Sequence, residues 1–172
     1  MTPQRVLAWV LYGIWVAWMF ALQSWLGRDA GASWVPDVGL VLALSLLSRA
    51  EVSDAPLIAL ITAIARAGFG PEPSIVLLTG AFGVVFLALV ARSAVELSGI
   101  LWRSLAALVF VLGFDGWLAF ATAMRANQVD TLHLGAAFSA WPAAISSALL
   151  ALAFGPALAH LPGLTPIRRR RW

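Results

Sequence analysis

Residues 33–69 read SWVPDVGLVLALSLL, then the polar turn SRAEVSD, then APLIALITAIARAGF. The two apolar segments lie back to back, each only about 14 residues long, where a spanning helix needs about 20. Asp37 stands behind Pro36 near one end of the first, and Arg66 stands near the corresponding end of the second. If the turn carrying Arg49, Glu51 and Asp54 marks a membrane face, both charges lie about 18 Å from it at helical rise. That depth is inside a hydrocarbon core about 30 Å thick. Opposite charges there are costly unless they meet each other or another polar group.

Composition gives the setting. Of 172 residues, 62% are hydrophobic and 11% charged, and the mean hydropathy is +0.91. A soluble domain holds about 45 to 50% apolar residues, and a fold of this size leaves about 30% of its unfolded surface exposed. The chain therefore reads as an integral membrane protein, all-α, one domain over residues 1–172. Absence of cysteine excludes thiol catalysis, thiolate metal sites and disulfides. The formal charge of +3 comes from eleven arginines and no lysine, four of them in the run 168–171. Because these arginines border apolar spans, they point to membrane orientation rather than to nucleic acid.

Six segments are predicted. The first covers about 6–26, is too long and Trp-rich for a signal peptide, and lacks a small-residue cleavage site. The second and third are the short pair, expected either as short helices extended by their flanks or as a partly re-entrant hairpin shielded by neighbours. The fourth covers about 75–91, the fifth 105–124 and the sixth 134–161, with Pro142 near the start of the last and Pro156 near its end. Proline inside a span is tolerated with a bend. Six spans put both termini on one side. If that side is cytoplasmic it holds Arg5, Arg49, Arg92, Arg103 and the run 168–171, against Arg28, Arg66 and Arg125 outside. Eight against three is the bias expected of a cytoplasmic face.

Two kinds of candidate site emerge. Asp37, Arg66 and Asp115 share one depth, so Arg66 is expected to bridge both carboxylates, a task that suits a forked guanidinium. Competing readings stay open: Asp37 can serve only the first helical turn, and Arg66 can snorkel outward. Asp115 has no helix end to explain it. Such clusters are more often structural clamps between helices than catalytic or transport sites. The second kind is a packing surface. Ala55, Ala59, Ala63 and Ala67 line one helical face at spacing four, and Gly80 and Gly83 form another close-approach site.

Catalytic chemistry is not legible. His133 and His160 lie near opposite ends of the sixth span, about 40 Å apart along it, and so cannot share a metal. There is no HExxH, GxSxG, P-loop or GxGxxG motif. The expectation is no enzyme, no catalytic residue, no metal and no cofactor.

The segment VPDVGLVLALSLLSR, the turn and span GFGPEPSIVLLTGAFG and the closing WPAAISSALLALAFGPALAHL resemble the MreD family, a small membrane component of the bacterial rod-shape machinery. Pro36, Asp37 and Pro142 match the family pattern, whereas Arg66 stands where the family tends to carry an acid. The resemblance implies a scaffold in the bacterial inner membrane that binds the single-span protein MreC. Through it the scaffold would serve the actin-like MreB, the glycosyltransferase RodA and its transpeptidase partner in peptidoglycan elongation. MreC is then expected to dock on a small-residue groove, either on the third segment or at Gly80 and Gly83. The rival reading is the six-helix substrate-binding subunit of an energy-coupling-factor vitamin transporter. Its pocket would draw on Asp37, Arg66, Asp115, Trp34 and Trp117.

Overall fold

The computed structural model describes residues 2–29, 32–94, 99–126 and 140–168. They form six α-helices: α1 (Pro3–Asp29), α2 (Val38–Leu47), α3 (Ala55–Ala67), α4 (Ser74–Ala94), α5 (Ile100–Arg125) and α6 (Trp141–Leu158). The protein is a polytopic all-α membrane bundle. Among the described residues, four helices, α1, α4, α5 and α6, are long and apolar enough to cross a bilayer.

The short pair stays short. At 10 and 13 residues, α2 and α3 rise about 15 and 20 Å, so neither is extended by its flanks to the 30 Å of a hydrocarbon core. By helix length and composition, four of the six expected segments are long enough to cross a bilayer, counted among the described residues. The reason is local: Pro36 and Asp37 start α2 late, Ser48 and Arg49 form a turn that stops it, and Gly68 and Gly70 close α3. The other helices overrun their predicted bounds by up to five residues, except α6. It ends at Leu158, and the predicted residues 134–139 lie outside the described ones. Pro142 occupies the first turn of α6, where its missing N–H costs nothing, so of the two prolines only Pro156 lies inside the helix.

Nine of the ten residues of α2 are buried. Its sequence explains this: VGLVLALSLL has no polar face, and a helix apolar all round belongs inside. It lies against α1, α3, α4, α5 and α6, so the bundle is built around it. After α6 the chain turns back through Gly163, whose φ of +85° suits glycine. Leu164 and Ile167 are then buried, and a short 3-10 turn (Thr165–Ile167) packs on α1. Ala50 and Arg168 meet there in an isolated antiparallel bridge.

The small-residue faces divide. Ala55, Ala59 and Ala63 are buried within the core and Ala67 is half-buried. The alanine face is therefore packed against the chain's own helices. Gly80 is buried at the α4–α5 contact, where a Cβ would lie 2.7 Å from Trp117 Cδ1 and 2.9 Å from Phe114 Cε2. Gly83, expected beside it in the same packing, is exposed, with nothing within 4 Å of a Cβ. Replacing Gly80 by Val should destabilise the protein by about 1–3 kcal/mol through overpacking. Thermal unfolding in mild detergent, followed by tryptophan fluorescence, would show it; an unchanged melting temperature would mean that the two helices separate without cost.

Candidate functional site

The site forms where α2 begins. Asp37 caps α2, its Oδ1 accepting from the Leu40 N–H at 2.9 Å. Its own backbone N–H donates to Ser147 Oγ at 2.8 Å, and the Ser147 hydroxyl donates to the Ala143 carbonyl at 2.6 Å. The remaining Asp37 oxygen, Oδ2, pairs directly with Arg66 Nη1 from the last turn of α3. Capping and charge pairing, alternatives at the sequence level, are thus made by the two oxygens of one carboxylate.

Arg66 is held on other sides too. Its guanidinium carbon lies 4.6 Å from the centre of the Phe114 ring and 5.6 Å from that of Phe20, close enough for cation–π attraction. Asp115, on α5, approaches Arg66 Nη2 at 4.0 Å. All three charged residues come together, but unequally. The Asp37 side chain is 4% exposed and Asp115 26%, so the close partner is Asp37, whereas the sequence singled out Asp115. Arg66 does not snorkel away. Two carboxylates and a guanidinium in a poorly polarisable setting attract strongly, but each also loses water. The arrangement is favourable because the cap, the serine and the rings supply contacts beyond the charge pair.

A second polar contact lies below it. The Tyr12 and Thr62 hydroxyls are 2.8 Å apart and buried, and Thr62 donates to the Ile58 carbonyl at 2.7 Å. Thr62 precedes Arg66 by one helical turn, so both polar groups of α3 face inward. Ser147, Phe20, Phe114 and Tyr12 were not legible as members of the site.

The residues assigned to a transporter pocket are partly committed elsewhere. Trp117 donates its indole N–H to the Val76 carbonyl at 2.9 Å, and Trp34 is exposed. His133 lies outside the described residues, and His160 contacts Arg49 and Pro156. Among the described residues, no group of three or more His, Cys, Asp or Glu is placed to hold a metal. The arrangement fits a clamp: it fixes the start of a buried helix to the end of its neighbour.

No protein-family model matches the chain, and no curated protein or solved structure matches it either. The likeness to the MreD family rests on the residues quoted above.

Proposed function

We propose that this protein is a non-enzymatic scaffold of the bacterial cell-elongation complex, which binds an MreC-like single-span protein in the inner membrane. The observation that carries the reading is the fate of VPDVGLVLALSLL. The stretch with the most distinctive likeness to MreD, including its Pro-Asp pair, builds the capped, buried helix around which the other five pack. Its polar groups are used in holding helices together, as a scaffold requires. In this reading all six helices belong to the membrane domain, the α2–α3 hairpin is sheltered by its neighbours, and both termini face the cytoplasm with the arginine-rich end. Since the alanine face is occupied internally, Gly83 on the outer side of α4 is the candidate small-residue position of the two faces that stays open to a partner helix.

Affinity isolation from native membranes in mild detergent, with mass spectrometry of proteins and small molecules, tests this. Recovery of a single-span MreC-like protein, followed by cell-wall synthases, is the expected result. Recovery of an ATPase module or of a stoichiometric vitamin would overturn it in favour of the transporter subunit.

A further inference from the structure

The outer side of α1 carries an open groove of about 430 Å³, lined by Ala17, Trp18, Ala21, Leu22 and Trp25 of α1 and by Phe69. Ala17 and Ala21 share one helical face a turn apart and leave room between the larger side chains. Trp18, Trp25 and Phe69 are all exposed beside them. Phe69 is held by the turn that closes α3, where its N–H donates to the Arg66 carbonyl at 2.9 Å. Apart from two indole N–H groups, the lining side chains hold no polar atom.

The end of the groove has a different chemistry. With 27 residues α1 rises about 40 Å, more than the roughly 30 Å of a hydrocarbon core, so its last turn reaches the headgroup region. Trp25 suits that boundary, and Arg28 stands in the last turn itself. Arg28 follows Ala21 by seven residues and Trp25 by three, which puts it on the groove's side of the helix. It is exposed, and among the described residues it has no hydrogen-bond or ion-pair partner.

An apolar groove that ends at an unpaired guanidinium in the headgroup region complements a molecule with a hydrocarbon tail and an anionic group at its head. A second helix suits it poorly, because close pairing over small residues needs small flanks, and here the alanines are flanked by tryptophans. An extended hydrocarbon chain is narrow enough to pass between the rings. We propose that the groove seats an acyl chain of a zwitterionic glycerophospholipid, with Arg28 holding its phosphate. The planar guanidinium fork matches phosphate oxygens. Asp29 follows Arg28 in sequence, so the two together offer a net-anionic lipid no surplus of positive charge, and the acid suits a headgroup ammonium.

Native mass spectrometry of the full chain tests this, after incubation in mixed micelles with equal amounts of phosphatidylethanolamine, phosphatidylglycerol and diacylglycerol bearing the same chains. The wild type should retain phosphatidylethanolamine above the other two, a readout free of any folding defect in a variant. Arg28→Gln, a change at an exposed and unpaired side chain, should lower that retention about fivefold. Ala21→Phe, which fills the groove, should lower retention of all three lipids. Arg125→Gln removes an equally exposed arginine from the last turn of α5 and should change nothing. Diacylglycerol or phosphatidylglycerol held as well as phosphatidylethanolamine, unchanged retention in Arg28→Gln, or an equal loss in Arg125→Gln would overturn the proposal. So would a wild-type dimer abolished by Ala21→Phe, which would assign the groove to a second copy of the chain.

Discussion

Arg66→Met is expected to lower the free energy of unfolding by about 3–5 kcal/mol, the usual cost of stripping one partner from a buried ion pair. The side chain of Met spans a similar length, so the loss is of charge and hydrogen bonding more than of volume. Asp37 would remain buried, with Oδ1 on the Leu40 N–H and Oδ2 facing no cation. Phe20 and Phe114 would lose the guanidinium packed on their faces. Adding Asp37→Asn should restore a substantial part of the stability, because the amide oxygen can still cap α2 without a buried charge. Asp115→Asn should cost far less than Arg66→Met, given its 4.0 Å separation and greater exposure. Equilibrium unfolding in mixed micelles, arranged as a double-mutant cycle, measures the coupling. A coupling between Asp37 and Arg66 near zero would mean that the pair is not a clamp.

The second large effect is expected at Gly39. α1 and α2 approach so closely there that a Cβ would overlap the Phe20 ring, with Cε2 only 2.8 Å away. Gly39→Val must push the ring aside, and the same ring carries one face of Arg66. Overpacking alone costs about 1–3 kcal/mol, and the disturbed Arg66 contact places this variant at or above the top of that range. Gly83→Ala is the natural control, since open space surrounds that position. It should be neutral or stabilising by up to about 1 kcal/mol. If the two substitutions shift the melting temperature alike, the close approach of α1 to α2 is not what Gly39 provides.

These two sites also show how far the sequence could be read. The charges at Asp37, Arg66 and Asp115 were legible as a group because helical rise converts residue counts into depth, and depth is costly in hydrocarbon. Their unequal roles were not. Which carboxylate lies closer to Arg66 depends on how α2, α3 and α5 are rotated, and no pattern within one helix records that. The membrane class and the approximate helix positions followed from composition and from Gly and Pro breaks. Whether α2 and α3 cross did not follow, because an apolar run of 14 residues looks alike whether it crosses a bilayer or lies enclosed by other helices. The alanine face illustrates a related gap. Its spacing announced a close approach but not whether the approaching helix belonged to this chain. Gly80 and Gly83 looked equivalent in sequence, and only the rotation of α4 separates a packed glycine from an open one.

Arg92 caps the lower end of α2, Arg66 grips its upper end, and Ser147 receives the Asp37 N–H. These three lie on α4, α3 and α6, all later in the chain than α2 itself. During synthesis, then, the central helix follows α1 but emerges before the polar groups that hold its two ends. Of these polar anchors it gains the first with residue 66, the second with residue 92 and the last with residue 147. The core element of this bundle is thus made early, and its ends are locked late. A nascent chain halted before α6 would expose that helix to whatever insertase or chaperone attends it.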